Sequence, residues 1–350
     1  MIIACLGLRV RGRANSPRTD YHPSVTVFIP TFDEEKQISR KLVEISRQTY
    51  SPTEILIIDC STDSTPEIVE DYKRDHPSIR LIRQAQRTGM AKTLNEAVDL
   101  AQGEILVYTG CDSSTGSASA LENLISHFSD PKVGGVTGIC ANSGLEGQFR
   151  KFTNWIQNAE SNIDSTIIAH GGPSMMAFRR SIAQPVRSDS LADDTEMFVN
   201  IRRKGFRTIL DTRVVSSEVL PDSFKARRMQ KDRRARGIIQ VLFQNIDLAF
   251  NPNYGFYGLV VFPMDLFLLV ASPFIILIDT ALLGYFLFTF SPLSTLVLFT
   301  IVGLSLLSTK VRALVDIQLS GLIGSLSAAS GRGSNLWPKE QLRPRVIASR

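Results

Sequence analysis

Three aspartates fall where a ligand site would need them. Asp33, Asp59 and Asp112 each lie at or just past the end of a short apolar run: VTVFIP at 25–30, EILIIDC at 54–60 and EILVYT at 104–109. If these runs are parallel strands, their carboxyl ends share one edge, where open α/β sheets bind ligands. Asp is also an ordinary turn residue, because its side chain bonds nearby backbone. One such acid would mean little; three on one edge point to a site. A second acidic group, Asp193-Asp194-Thr195-Glu196, has the composition of a charged first helical turn, which the helix dipole favours. Seven cations crowd into residues 225–236, a cluster that also suits anionic lipid headgroups.

Other chemistries are excluded. The turn after the first apolar run, Pro30-Thr31-Phe32-Asp33-Glu34-Glu35, has no glycine, so a nicotinamide-dinucleotide site fails there. Cys5, Cys60, Cys111 and Cys140 show neither CxxC spacing nor a paired histidine, which leaves reduced thiols of a cytosolic compartment. With 43% hydrophobic and 21% charged residues, the 350-residue chain is neither collagen-like nor disordered.

The elements that must position these residues follow from periodicity. After the strand at 25–30, residues 35–48 carry Ile38, Leu42 and Ile45 at helical spacing. A strand at 54–60 leads into Thr65-Pro66-Glu67, an N-cap with a first-turn proline that opens a helix to about residue 74. A strand at 79–84, a helix at 91–101, the strand at 104–109, a helix near 119–128 and a strand at 133–139 continue the alternation. This order predicts an α/β domain, a mainly parallel sheet with helices on both faces.

Charge divides the chain. No Lys or Arg occurs between Gly237 and Thr309, a run of 73 residues, although the whole chain carries +5. Residues 255–278 hold one charge, Asp265, and 281–308 hold none. At 1.5 Å per residue the first stretch is roughly 36 Å long, enough to cross a hydrocarbon core of about 30 Å. The expected organisation is a tail at 1–23, a catalytic domain at 24–237 and an interfacial helix at 238–253. A two-span transmembrane hairpin turning near Asp279 would fill 254–309, with an interfacial helix and basic tail at 310–350. Basic clusters flank both outer ends, which predicts a multi-pass cell-membrane protein with its catalytic domain cytoplasmic.

The ordered motifs over about residues 24–308 resemble glycosyltransferase family 2, which has the GT-A fold. The similarity is to its membrane-anchored branch of polyprenyl-phosphate sugar transferases and polysaccharide synthases. Pro30-Thr31-Phe32-Asp33-Glu34 resembles the family's P-(T/A)-(Y/F)-(N/D)-E loop around base and ribose, and Asp59 opens a V-D-x-S-T-D-x-T-like element whose Asp contacts the base. Arg87-Thr88-Gly89 begins a segment similar to the helix start near the diphosphate. Gly110-Cys111-Asp112 stands where the family has Asp-x-Asp, so the resemblance implies Asp112 as ligand of Mg²⁺ or Mn²⁺, which neutralises a leaving diphosphate. Gly110 in place of the first Asp affects donor contacts more than metal binding. Gly171-Gly172 belongs to the acceptor-side segment, and Asp193-Asp194 resembles the E-D-T-(E/D)-L helix start, with Asp194 implied as general base. Gln230-Lys231-Asp232-Arg233-Arg234-Ala235-Arg236-Gly237 is similar to Q-x-x-R-W-x-R-G, with Gln230 and Arg233 implied over the diphosphate and Arg234 replacing Trp.

The resemblance thus implies an inverting, metal-dependent transferase. It would move a sugar from a nucleoside-diphosphate sugar, UDP or GDP, to a lipid-linked or short glycan acceptor at the cytoplasmic membrane face. Nucleic acid is not an expected partner. Gly110 and Arg234 keep a second expectation open, a non-catalytic membrane-bound regulator on the same fold. A processive polysaccharide synthase is a third, disfavoured because the aromatic floor for a long glycan is missing.

Overall fold

The computed structural model describes residues 21–167, 175–219 and 223–329. Alternating apolar residues place β1 (Val25–Thr31) at the heart of an eight-stranded sheet of order β3-β2-β1-β4-β7-β6-β8-β5. The other strands are β2 (Glu54–Asp59), β3 (Ile79–Arg83), β4 (Ile105–Tyr108), β5 (Ser113–Thr115), β6 (Val133–Cys140), β7 (Met176–Arg179) and β8 (Arg207–Glu218). From β3 to β4 every pairing is parallel, as the alternation predicts. Beyond β4 the sheet is mixed, because β7 runs antiparallel to both β4 and β6, and β5 antiparallel to β8. β6 pairs with β8 in parallel, so four of the seven strand pairings are parallel and the sheet is mixed in its second half.

Helices cover both faces. Val25, Val27 and Ile29 pack on Ile38, Leu42 and Ile45 of α1 (Ile38–Ser46), Val69 of α2 (Thr65–Lys73) and Leu121 and Leu124 of α4 (Ala120–Ser126). Phe28, pointing the other way, meets Leu94 of α3 (Met90–Leu100) and Phe198 and Ile201 of α6 (Asp193–Arg203). The N-cap of α2 is Ser64 rather than Thr65, whose hydroxyl instead accepts the backbone N–H of Glu34 at 2.8 Å. The long helix α5 (Gly144–Ile163) lies between α4 and α6 in the chain.

The C-terminal part departs from the expected boundaries. Residues 238–244 are not the start of a separate helix, since they finish α7 (Phe224–Gln244). The next helix, α8 (Tyr257–Phe290), is continuous through Asp279, so the expected turn there is absent. The break comes at Ser291-Pro292, and the proline, which has no N–H to donate, stands at the first position of α9 (Pro292–Ser305). Tyr257, Val261 and Phe262 are buried with Val241 and Leu242 in a third core, which ties the start of α8 to the catalytic domain. Asp265, 3% exposed, lies beside the Glu160 carboxyl of α5. Farther along, Phe288 and Phe290 are more than 70% exposed, apolar surface of the kind that lipid covers.

Among the described residues, α8 is the one helix long and apolar enough to cross a membrane. The multi-pass expectation is not supported: Leu293–Ser305 and Thr309–Ala328 pass that test only together, and they are bent by 100°. At 14 residues α9 is roughly 21 Å long, short of a crossing. The last helix, α10 (Thr309–Ala329), runs along α7, with Asp316 paired to Arg228 at 2.9 Å and to Lys231 at 2.5 Å. The tail expected at 1–23 falls almost wholly outside the described residues, as does the basic tail beyond 329.

Candidate active site

The first two strand-end loops are laced together. Asp33 takes a left-handed backbone (φ 52°), which Asp tolerates better than most residues. Its N–H donates to Ser61 Oγ at 2.7 Å, and its Oδ1 accepts the Thr62 N–H at 2.9 Å. Parallel register puts Thr31 opposite Asp59. Asp59 is fully buried: its carboxylate accepts from Thr31 Oγ1 at 2.6 Å and Ser61 N at 3.2 Å, and pairs with Arg83 at 3.1 Å. Asp59, expected to contact the base, is thus engaged by its neighbours and does not line the cavity in this structure. That side chain braces the loop from below, while its neighbours Ile58 and Cys60 reach the cavity.

Above these loops lies a cavity of about 500 Å³. It joins Pro30, Thr31, Asp33, Glu34, Arg87, Gly89, Asp112, Asp193, Asp194, Gln230 and Arg233, so residues from five separate segments share one space. Gly171 and Gly172 lie outside the described residues. Gly89 sits at the start of α3 with φ 93°, a conformation few side chains permit. Phe32, quoted in the first motif but given no role of its own there, carries the Arg87 guanidinium 4.4 Å above its ring and forms one wall.

Charges converge at the end of β4. The phenol of Tyr108, 7% exposed, is pushed well above its usual range by burial, then by Asp193, Asp112 and Asp194, with Arg233 opposing. All four charged groups line the same cavity as Tyr108. The Asp112 carboxyl is raised to about 6, first by burial and then by the neighbouring Glu218 and Glu34 charges. Asp193 is raised to about 7 by burial and by Asp194, and burial lowers Arg233 to about 10. Asp194 Oδ1 accepts the Thr195 N–H at 2.7 Å in the first turn of α6.

The family-like segment of α7 is only partly free for a substrate. Gln230, 5% exposed, donates to Glu218 Oε1 at 3.0 Å, and Arg234 binds both oxygens of the same carboxylate. Arg150 of α5 adds a bond at 3.1 Å. Arg234 thus serves as counter-ion to Glu218 while still lining the cavity, which is what the Trp-to-Arg departure achieves locally. No motif marks Glu218; pairing of β5 with β8 brings it opposite Ser113, next to Asp112. Gly237 has a packing reason. A Cβ there would come within 2.8 Å of the Leu191 backbone, so its absence lets α7 seat against the segment that carries Asp193 and Asp194.

A hard divalent cation fits the donor set. Among the described residues no cluster of three or more His, Cys, Asp or Glu forms a complete cage. The Asp112 carboxylate, which lines the cavity and is raised by burial and then by Glu218 and Glu34, matches sites where Mg²⁺ or Mn²⁺ takes one or two carboxylates and completes its shell with substrate phosphates.

Comparison with known proteins agrees with this geometry. Residues 26–187 match the family described as Glycosyl transferase family 2. An N-acetylglucosaminyltransferase of Rhizobium meliloti (strain 1021) is 24% identical over 250 residues, 65% of this chain and 58% of the relative. The probable glycosyltransferase YdaM of Bacillus subtilis (strain 168) is 25% identical over 61% of this chain and 55% of its own. The chain thus spans under three fifths of the length of these curated relatives. A mannosyltransferase from Pyrobaculum calidifontis, solved in complex with GDP-Man and Mn²⁺, superposes with a TM-score of 0.82 at 26% identity, covering 95% of both chains. Residues 26–187 thus carry a glycosyltransferase family 2 domain, within a fold like that of the solved mannosyltransferase.

Proposed function

We propose that the chain is an inverting glycosyltransferase that uses a nucleoside-diphosphate sugar and a lipid-linked acceptor at the cytoplasmic face of the membrane. The observation that carries this reading is the continuity of the cavity. It runs from Asp33, Arg87 and Asp112 past Asp194 and Arg233 to Ile238, Leu269 and Ile317 on α7, α8 and α10. A polar end suits a sugar nucleotide, and an apolar end beside the one membrane-length helix suits a lipid chain.

Each residue then has a role that its chemistry permits. Phe32 and Arg87 form the wall for the nucleoside, and Asp112 is the carboxylate that would hold Mg²⁺ or Mn²⁺. A metal there supplies neutralisation of the charge that develops on the leaving diphosphate. Arg233 supplies a fixed cation to the same side. Asp194 accepts the proton of the attacking acceptor oxygen, opposite the departing diphosphate. The Arg234–Glu218 pair leaves no aromatic floor for a long glycan, which favours a single transfer over processive synthesis.

Purified full-length protein in detergent, offered GDP-mannose, UDP-glucose and UDP-N-acetylglucosamine with polyprenyl phosphate, tests the proposal. The solved mannosyltransferase makes GDP-mannose the first donor to try. The expected product is a glycolipid of inverted anomeric configuration whose formation stops with EDTA. Nucleotide binding without turnover of any donor would instead favour a non-catalytic role.

A further inference from the structure

We propose that Lys41 is a positioning residue that holds the turn presenting Asp112 to the nucleotide diphosphate; this rests on the role given above to Asp112. Lys41 lies on α1, outside every motif, and its side chain is fully buried. A lysine is rarely buried completely unless its charge and its three N–H groups are all met. Here they are. Nζ donates to Glu44 Oε1 at 3.3 Å, Thr109 Oγ1 at 3.4 Å and Ser113 Oγ at 3.3 Å.

Those acceptors bracket the functional turn. Thr109 precedes Gly110-Cys111-Asp112, and Ser113 follows it, with its own hydroxyl donating to the Gly110 carbonyl at 2.9 Å. Glu44, one helical turn after Lys41, extends the grip: its Oε1 accepts the N–H of Thr115 at 2.9 Å and its hydroxyl at 2.7 Å. Residues 109–115 are therefore clamped by one helix, whose same buried face is anchored in the core by Ile38, Leu42 and Ile45. Lys41 is not part of the cavity wall, so it acts through the turn rather than on substrate. Within the turn Gly110 and Asp112 both line the cavity, and Asp112 is the one that presents a carboxylate there. Outer partners of metal ligands are worth about 10–100-fold in metal affinity.

Calorimetric titration of GDP and UDP into the full-length protein in detergent, with and without Mn²⁺, tests this, with thermal melting alongside. Lys41→Met strands Glu44, so Lys41→Met/Glu44→Gln, which removes both charges, separates folding from positioning. The double variant is expected to melt near the wild type yet lose about tenfold or more of its Mn²⁺-dependent nucleotide affinity. Ser113→Ala, which leaves the ion pair intact, is expected to lose less in the same direction. Wild-type Mn²⁺ dependence in the double variant, or in Ser113→Ala if the double variant does not fold, would overturn the proposal. Asp112→Asn is the separate control. If it also kept full Mn²⁺-dependent binding, the role of Asp112 would fail; if it alone lost binding, only the role of Lys41 would.

Discussion

Asp194→Asn replaces one oxygen by nitrogen and removes one charge, while Asn Oδ1 can still accept the Thr195 N–H that the aspartate accepts at 2.7 Å. The helix start should survive, and donor binding should be nearly unchanged, because the nucleoside wall and Asp112 lie on other segments. What is lost is the proton acceptor. A positioned general base contributes about 10²–10⁴-fold, so kcat should fall by that factor, about 3–5 kcal/mol on the barrier. The assay is glycolipid formation with saturating donor, with nucleotide affinity measured in parallel. Asp193→Asn is the companion variant. Burial and the neighbouring charge raise the Asp193 carboxyl to about 7, a value that also suits a base near neutral pH. Near-normal turnover by Asp194→Asn together with abolished turnover by Asp193→Asn would refute the assignment and move the base by one residue.

Gly237→Ala should lower both Tm and kcat, because its Cβ meets Leu191 backbone at 2.8 Å and must push α7 from the aspartate-bearing segment; overpacking costs about 1–3 kcal/mol. Arg234→Met should lower stability by about 1–3 kcal/mol, since Glu218 keeps Arg150 and Gln230 but loses its bidentate partner; chemical denaturation measures this. Glu160, 3% exposed and raised to about 7 by burial, binds its proton more tightly folded than unfolded. Its contribution is therefore present below about pH 4.5 and is lost as pH rises through about 7. Glu160→Gln should accordingly flatten the decline of Tm between pH 5 and 8 relative to the wild type.

Much of the first half of the fold was legible along the chain, because each strand and helix there is amphipathic or wholly apolar over its own length. Asp33 and Asp112 could be placed on one edge from local pattern and parallel order alone. The surroundings of Asp59 could not be read from the sequence. The same turn chemistry serves a ligand or a neighbouring loop, and only the packing of Thr31, Ser61 and Arg83 around it shows which. The mixed half of the sheet was hidden too, since strand direction depends on long connections that local periodicity does not encode. Uniform apolarity beyond residue 255 likewise told length and environment but not where the helices break.

Residue types and their order, by themselves, determined the α/β class, the acidic edge, the Asp193-Asp194 helix start and the arginine-bearing segment, because each is a property of neighbours in sequence. Only the tertiary structure decided that these segments enclose one cavity, that Glu218 occupies Gln230 and Arg234, and that Lys41 lies beneath the Asp112 turn. Burial and charge pairing join residues that are distant along the chain, and their energies exist only once the chain is packed.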